Sequence, residues 1–234
     1  MVQVLEIEPG RLLDYKEIPE TEETNGIGNI RSTEVYETGK RVFDIFASLL
    51  AIIILFLPML VICLIVYIDD PKGSPIFKQY RCGKDGKLFT IYKFRTMCVN
   101  AEDLLKDLKK DNEMDGHAFK IKNDPRVTRV GKFLRVTCID ELPQLYNVLC
   151  GDMSIVGPRP PLPNEVKEYS ESDMERLSVV PGLTCYWQVQ PNKNSIAFEE
   201  WMKLDKKYIS ERSFSVDLKV IFKTILVIFH MQGC

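Results

Sequence analysis

The chain has 234 residues and a formal net charge of −2, so it fits one domain of ordinary size with a sizeable core. The near-neutral balance gives no overall basic field, and a nucleic-acid partner is therefore not expected. The two histidines, His117 and His230, are too few for a histidine-rich metal site or a histidine-centred triad.

The seven cysteines exclude another common kind of site. No two of them are separated by two residues, so the spacing typical of zinc-binding pairs is absent. Their odd number and irregular spacing indicate a reducing compartment. Positive charge is concentrated in two stretches, 78–95 and 119–135, each with six lysines and arginines against one acid. Such stretches suit a small polyanionic substrate or a membrane surface, although a solvated surface is the simpler interpretation of either one alone.

Residues 1–39 are polar and acidic, and we predict an extension that is partly disordered. They lack the charged start and apolar core of a signal peptide. We divide the chain into this extension, an apolar segment over 40–70 and the remaining domain over 71–234.

The long apolar run covers residues 42–68 and contains one acid, Asp44. About 20 apolar residues suffice to cross a bilayer, so a spanning helix is the default prediction. Lys40 and Arg41 place the start of the run on the cytoplasmic side. The free cysteines and basic stretches that follow also belong in the cytoplasm. A bend at Pro58 would let the segment enter and leave by the same face, while a spanning helix that tolerates its proline stays open.

The remaining pattern predicts an α+β fold. "IFKQYRC" and "LFTIYKF" alternate like strands on either side of the turn "GKDGK". Helical spacing predicts an amphipathic helix over 101–114, a short helix over 142–149 that stops at Gly151, and helices over 196–210 and 215–231. "PGLTCYWQV" is typical of a turn followed by a strand. The last helix is short for a membrane span and suits burial at the membrane interface.

Asp140 and Glu141 stand side by side before the short helix. One interpretation is structural: Asp140 is the N-cap and Glu141 lies in the first turn, where acids are favoured. The other is catalytic: one carboxylate attacks phosphorus and the other holds Mg²⁺. Arg135 precedes the pair, and Arg159 follows between Pro158 and Pro160, which restrict the chain around it. A guanidinium held in this way can bind a phosphate through two hydrogen bonds.

Four long segments, in order, resemble the bacterial sugar transferases, the monotopic polyprenyl-phosphate phosphoglycosyl transferases. They are "KRVFDIFASLLAIIILFLPM", "GSPIFKQYRCGKDGKLFTIYKFRTM", "DPRVTRVGKFLRVTCIDELPQLYNVLCGDMSIVGPRP" and "PGLTCYWQV". The resemblance covers about residues 40–230. It implies transfer of a sugar 1-phosphate from a UDP-sugar to undecaprenyl phosphate with release of UMP, at the start of capsule, exopolysaccharide or glycoconjugate synthesis.

The resemblance also implies roles for individual residues. Asp140 matches the nucleophile, Glu141 the Mg²⁺ ligand and Arg135 the arginine beside the acids. Lys93, Arg95 and Arg159, with Pro158 and Pro160 around the last, match residues of the phosphate and nucleotide region. Pro58 matches the break of a re-entrant membrane helix. The implied fold is membrane-embedded and monotopic, with a small β region and interfacial amphipathic helices.

The implied surroundings are the bacterial inner membrane and its lipids, with the catalytic domain facing the cytoplasm, and a homodimer fits the resemblance as well. The sequence departs from many members at Cys185, at Val180 and near 191–194. These departures leave the sugar and nucleotide contacts open. Two other functions stay open: a membrane-anchored assembly protein without catalysis, and another Mg²⁺-dependent enzyme such as a phosphohydrolase.

Overall fold

The computed structural model describes residues 34–101, 103–104, 124–191 and 196–229. Within them lie helices α1 (Glu34–Asp69), α2 (Arg129–Val136), α3 (Gln144–Cys150), α4 (Pro163–Val166), α5 (Glu171–Met174), α6 (Phe198–Glu211) and α7 (Phe214–Phe229). The strands are β1 (Ile76–Cys82), β2 (Leu88–Phe94), β3 (Ser154–Val156) and β4 (Gly182–Thr184). The α+β class predicted from the sequence is confirmed.

The hairpin β1–β2 follows the predicted strands residue for residue. It is antiparallel, with Ile76 opposite Phe94 and Cys82 opposite Leu88. Its turn is tight because Asp85 and Gly86 adopt positive φ angles of 55° and 73°, a conformation that glycine and aspartate accept more readily than other residues. Lys93 therefore lies near the end of a strand whose position is fixed by its partner.

A parallel pair of short strands, β3 and β4, forms the second sheet. Residues 157 and 182 are both glycine where these two segments of the backbone approach each other. A Cβ on Gly182 would lie 2.0 Å from the Gly157 nitrogen. Behind this pair, α6 and α7 supply Tyr208, Ile209 and Val220 to a core that also holds Val156 and Val179. The irregular segment after β3 carries Arg159 and is thus attached to a rigid base.

Helix α1 runs without interruption from Glu34 to Asp69, with Pro58 inside it. Among the described residues it is the single helix long and apolar enough to cross a membrane. Most of its apolar side chains are exposed, including Phe46, Ile53 and Leu57. Three of its polar side chains, by contrast, are buried: Lys40, Asp44 and Ser48.

Both ends of α1 contact the same domain. Near its start, Lys40 lies 2.6 Å from Asp217 of α7, and Arg41 donates to the carbonyl oxygens of Val148 and Leu149 at 2.6 and 2.8 Å. These are the last carbonyls of α3, which a cation stabilises. Near its end, four side chains pack with Phe94 and Leu134: Met59, Ile62, Cys63 and Val66.

The helices predicted over 196–210 and 215–231 correspond to α6 and α7. The end of the amphipathic helix predicted over 101–114 lies outside the described residues, as do most of the predicted extension 1–39 and residues 192–194 of the departure near 191–194. The six cysteines in the described ranges are free thiols. The next elements, α2 and α3, enclose the acidic pair.

Candidate active site

Asp140 and Glu141 lie in a single 3₁₀ turn, Ile139–Glu141, between α2 and α3. Cys138 starts the turn with a φ of 56°, in the left-handed region, and α3 begins separately after Pro143, which is its N-cap residue. The prediction that Asp140 caps the short helix is therefore wrong. A left-handed residue before the acids and a proline after them, without an N–H, separate the turn from the helix. The predicted stop at Gly151 is confirmed, with a φ of 95°.

The buried side-chain amide of Asn147 joins helix α3, which follows the acids, to strand β2, which carries Lys93. The side chain of Asn147, on α3, accepts from the Tyr92 nitrogen at 3.2 Å and donates to the Thr90 oxygen at 2.7 Å. Both partners lie on β2, next to Lys93. Lys93 Nζ in turn lies 2.6 Å from Glu141 Oε1. The structure therefore brings Lys93, Asp140 and Glu141 together.

The two carboxyl groups have opposite electrostatic environments. Burial raises the pKa of Asp140 to about 6, and the neighbouring Glu141 adds to the increase, while Lys93 and Arg135 oppose it. Burial would also raise the pKa of Glu141, but Lys93 and Arg159 outweigh it and hold that pKa below its usual range. At neutral pH the pair is thus ionised, with Asp140 the more basic of the two and the better suited to attack an electrophile.

Arg135, on the last turn of α2, lowers the pKa of Asp140 through its charge. Its Nε donates to Thr96 Oγ1 at 3.0 Å. Helix α2 can approach Thr96 only because residue 131 is glycine: a Cβ there would lie 2.1 Å from the Thr96 oxygen. This close contact fixes the distance between α2 and the chain that follows β2.

The segment of Pro158, Arg159 and Pro160 is fixed through its carbonyl groups. The Pro158 oxygen accepts from the Gly182 nitrogen at 2.8 Å, and the Pro161 oxygen accepts from the Cys82 nitrogen at 3.0 Å. The two oxygens between them accept from arginines: Arg159 from Arg176 at 2.9 Å, and Pro160 from Arg81 at 3.1 Å. Four consecutive carbonyls are thus paired with other parts of the chain, which suits a loop that must present one side chain.

A small cavity beside Glu141 opens to solvent. Three cationic side chains line it, so it favours an anion with more than one negative charge. Its lining residues are Arg81, Ile91, Lys93, Glu141, Gln144, Arg159, Pro160, Gly182, Leu183 and Gln188.

Five predicted residues are not among those that line the cavity: Asp140, Arg135, Pro158, Arg95 and Pro58. Arg95 donates to the main-chain oxygen of Asp70 and its Nη1 lies 3.4 Å from an Asp70 carboxylate oxygen, so it binds the end of α1. Pro58 lies within α1, at its exposed middle part. The roles of Arg95 in the phosphate region and of Pro58 at a membrane break stay predictions.

Three further polar residues of the cavity were not singled out from the sequence: Arg81, Gln144 and Gln188. Arg81 was counted in the first basic stretch, but nothing in the local pattern distinguishes it from the exposed lysines beside it. It is 7% exposed, and its pKa is lowered to about 9 by burial and by the charge of Arg159. Gln144 and Gln188 complete the polar wall. Gln144 stands three residues after Glu141, which was the available signal.

The donor set fits Mg²⁺ with few protein ligands. Among the described residues, no group of three or more histidine, cysteine or acidic side chains could hold a metal ion. Mg²⁺ commonly takes only one or two carboxylates and completes its shell with water and phosphate oxygens. Glu141, with Asp140 beside it, supplies such a set next to the cationic cavity.

Comparisons with known proteins identify the family of the chain. The sequence model of the bacterial sugar transferase family matches residues 35–231. The chain is 41% identical over 199 residues to the UDP-galactose-lipid carrier transferase of Erwinia amylovora, and 39% over 201 residues to the undecaprenyl-phosphate galactose phosphotransferase of Salmonella typhimurium. Each match covers 83% of this chain and 41% of the relative.

A relative of similar length also matches. The exopolysaccharide production protein ExoY of Rhizobium meliloti is 35% identical over 198 residues, which are 83% of this chain and 87% of ExoY. The chain spans less than half the length of the two transferases above. The family match, by contrast, extends from the start of α1 to beyond the end of α7. The chain belongs to the bacterial sugar transferase family.

Proposed function

We propose that the chain transfers a sugar 1-phosphate from a UDP-sugar to undecaprenyl phosphate and releases UMP. The observation that carries the proposal is the buried Asp140 beside a cavity with three cations, Arg81, Lys93 and Arg159. A nucleoside diphosphate sugar matches this charge. The names of two relatives support the choice of donor and acceptor. One is named for UDP-galactose and a lipid carrier, and the other for undecaprenyl phosphate.

In this mechanism Asp140 is the nucleophile. A carboxylate oxygen of Asp140 attacks the β-phosphorus, and the bond from that phosphorus to the oxygen bridging the two phosphates breaks. UMP leaves with the bond's electron pair, and the sugar phosphate stays on Asp140. A phosphate oxygen of undecaprenyl phosphate then attacks the same phosphorus and expels the carboxylate, so that the product is an undecaprenyl diphosphate sugar and Asp140 is regenerated.

The surrounding residues stabilise negative charge in both steps. Lys93 and Arg159 already lower the pKa of Glu141, which indicates that their charges act at the same place. Arg135 supports the ionised form of Asp140. Glu141 would hold Mg²⁺, which when bound neutralises phosphate oxygens. Asp140, with a pKa of about 6, is mostly ionised at neutral pH and needs no separate base.

The same proposal includes a re-entrant α1. A straight helix from Arg41 to Asp70 would measure about 43 Å at roughly 1.5 Å per residue, more than the roughly 30 Å hydrocarbon core. A single crossing would place its two ends on opposite sides. Yet Arg41 binds α3, and Asp70 binds Arg95 directly after β2. Entry and exit at the cytoplasmic face, with Pro58 at the bend, reconcile these contacts with a nucleotide donor.

The experiment that tests the function is UMP release from a panel of UDP-sugars, with and without undecaprenyl phosphate. We expect release from one or a few donors that requires the lipid acceptor. Release that is equally fast without acceptor would indicate a phosphohydrolase. No release from any donor, with the relevant membrane lipids present, would favour an assembly protein.

A further inference from the structure

A buried ion pair outside the mechanism above lies behind the Arg159 loop. Arg176 belongs to a 3₁₀ turn, Glu175–Ser178, that precedes β4, and Asp205 lies in the middle of α6. Arg176 Nε and Asp205 Oδ2 are 2.8 Å apart, and their side chains are 3% and 0% exposed. Burial raises the pKa of Asp205 to about 6 although Arg176 and Arg159 oppose it. The buried position of Asp205 thus disfavours the charged form of its carboxyl group.

Stability alone is a weak reason for such a pair. Removing two charges from water is expensive, and apolar residues of similar volume often give an equally stable protein. The other contacts of Arg176 are therefore informative. Its Nη1 donates to Tyr169 Oη at 2.7 Å, and its Nη2 donates to the main-chain oxygen of Arg159 at 2.9 Å.

The Arg159 loop needs support from outside because it has few donors of its own. Pro158, Pro160 and Pro161 carry no N–H, so the loop cannot form a regular hydrogen-bonded turn. Its carbonyls are held by other segments, and Arg176 holds the carbonyl of the one residue in the loop whose side chain is a cation lining the cavity. The contact acts on the backbone directly beneath the Arg159 side chain.

The charge of Arg159 acts on two carboxylates. It lowers the pKa of Glu141 at the cavity and that of Asp205 behind the loop. With Arg176 in place, Asp205 already has a cationic partner at 2.8 Å. Without Arg176, Asp205 would be a buried, unpaired anion, and Arg159 would be the nearby cation able to compensate it.

We propose that Arg176, held by Asp205, is a positioning residue for Arg159: it fixes the loop backbone and occupies Asp205, so that the Arg159 guanidinium faces the nucleotide diphosphate. The inference rests on the proposed function, because it assumes that the cavity binds the donor's phosphates. Arg176 itself does not line the cavity. Its direct contact with the cavity's lining residues is the hydrogen bond to the Arg159 carbonyl.

The test is a double-mutant cycle on UDP affinity, measured by titration calorimetry on the full chain in lipid nanodiscs. Arg176→Lys keeps the charge opposite Asp205 but cannot also reach the Arg159 carbonyl with a second planar donor. We expect it to weaken UDP binding about tenfold or more, in the range of a lost charge-assisted hydrogen bond. In an Arg159→Ala background the same change should weaken binding less than about twofold, because the group being positioned is gone.

Two further variants separate positioning from stability. Arg176→Met combined with Asp205→Leu removes both charges and should keep the unfolding temperature while losing UDP affinity to the same extent. Arg212→Lys is the matched control. Arg212 Nη1 lies 2.7 Å from Glu37 Oε1, and neither residue lines the cavity. Wild-type affinity in the Met–Leu variant, or equal effects of Arg176→Lys with and without Arg159, would overturn the positioning role. A wild-type chain that does not bind UDP would overturn the proposed function first.

Discussion

Lys93 and Glu141 form an ion pair of 2.6 Å directly beside Asp140, and the two partners act on Asp140 in opposite directions. The charge of Lys93 lowers the pKa of Asp140 and that of Glu141 raises it. Burial adds to the effect of Glu141, and the pKa of Asp140 reaches about 6. A nucleophile that is ionised at neutral pH yet remains basic follows from this arrangement.

Asp140→Asn should abolish transfer while leaving the chain folded. The amide keeps the size of the side chain but has no free carboxylate to attack phosphorus. Because the folded pKa of Asp140 lies above its usual value, its contribution to stability is full below about pH 4 and is lost as the pH rises through about 6. The variant should therefore unfold at a higher temperature than the wild type at pH 8, and at a similar temperature at pH 4.

The measurements are UMP release and thermal unfolding at the two pH values. Asp85→Asn is the matched control, since Asp85 is an exposed acid in the hairpin turn with a φ of 55° that asparagine also accepts. It should change neither quantity. Near-normal turnover by Asp140→Asn would end the covalent mechanism.

The pH dependence of kcat/KM should show an acidic limb centred near pH 6. Below that pH Asp140 is protonated, and one unit below its pKa only about a tenth of the molecules carry the carboxylate. Lys93→Gln removes a charge that favours the ionised form, so the limb should move to higher pH. A limb that stays in place in Lys93→Gln would show that another group limits the rate at acidic pH.

Removal of divalent cations should stop UMP release, and added Mg²⁺ should restore it. Glu141→Gln should raise the Mg²⁺ concentration needed for half-maximal activity or eliminate activity, because an amide is a weaker ligand for Mg²⁺ than a carboxylate. Glu165→Gln provides a comparison outside the cavity, where Glu165 accepts from the Leu162 nitrogen at 2.8 Å. Full activity of the wild type in excess chelator would remove the metal from the proposal.

The topology of α1 can be tested with single cysteines in a version that lacks the native ones. Val35→Cys and Lys72→Cys flank the apolar part of the helix, and both positions are exposed. Both thiols should react with a membrane-impermeant reagent applied from the cytoplasmic side. Pro58→Ala should place a fraction of the molecules in a spanning orientation, with activity lost in that fraction. Labelling of Val35→Cys from the periplasmic side alone would contradict the re-entrant arrangement.

Local patterns in the sequence predict much of the fold but less of the site. The hairpin and α7 were predictable because alternation and helical spacing are local, and the turn residues 83–87 are characteristic. The cavity is not local: Arg81, Glu141 and Arg159 come from three separate segments. Asp140 was recognisable as chemically unusual, yet its place in a separate 3₁₀ turn depends on the left-handed Cys138, which no propensity indicates.

The side-chain amide of Asn147 covers part of one edge of the two-stranded sheet formed by β1 and β2. A two-stranded sheet has two open edges, each able to pair with a strand of another molecule. On β2, Asn147 occupies the Tyr92 nitrogen and the Thr90 oxygen, so a helix side chain takes the place of a third strand. The strand that carries Lys93 is thereby protected from strand addition along this stretch. A single fully buried amide thus opposes pairing of another strand with β2 beside Lys93.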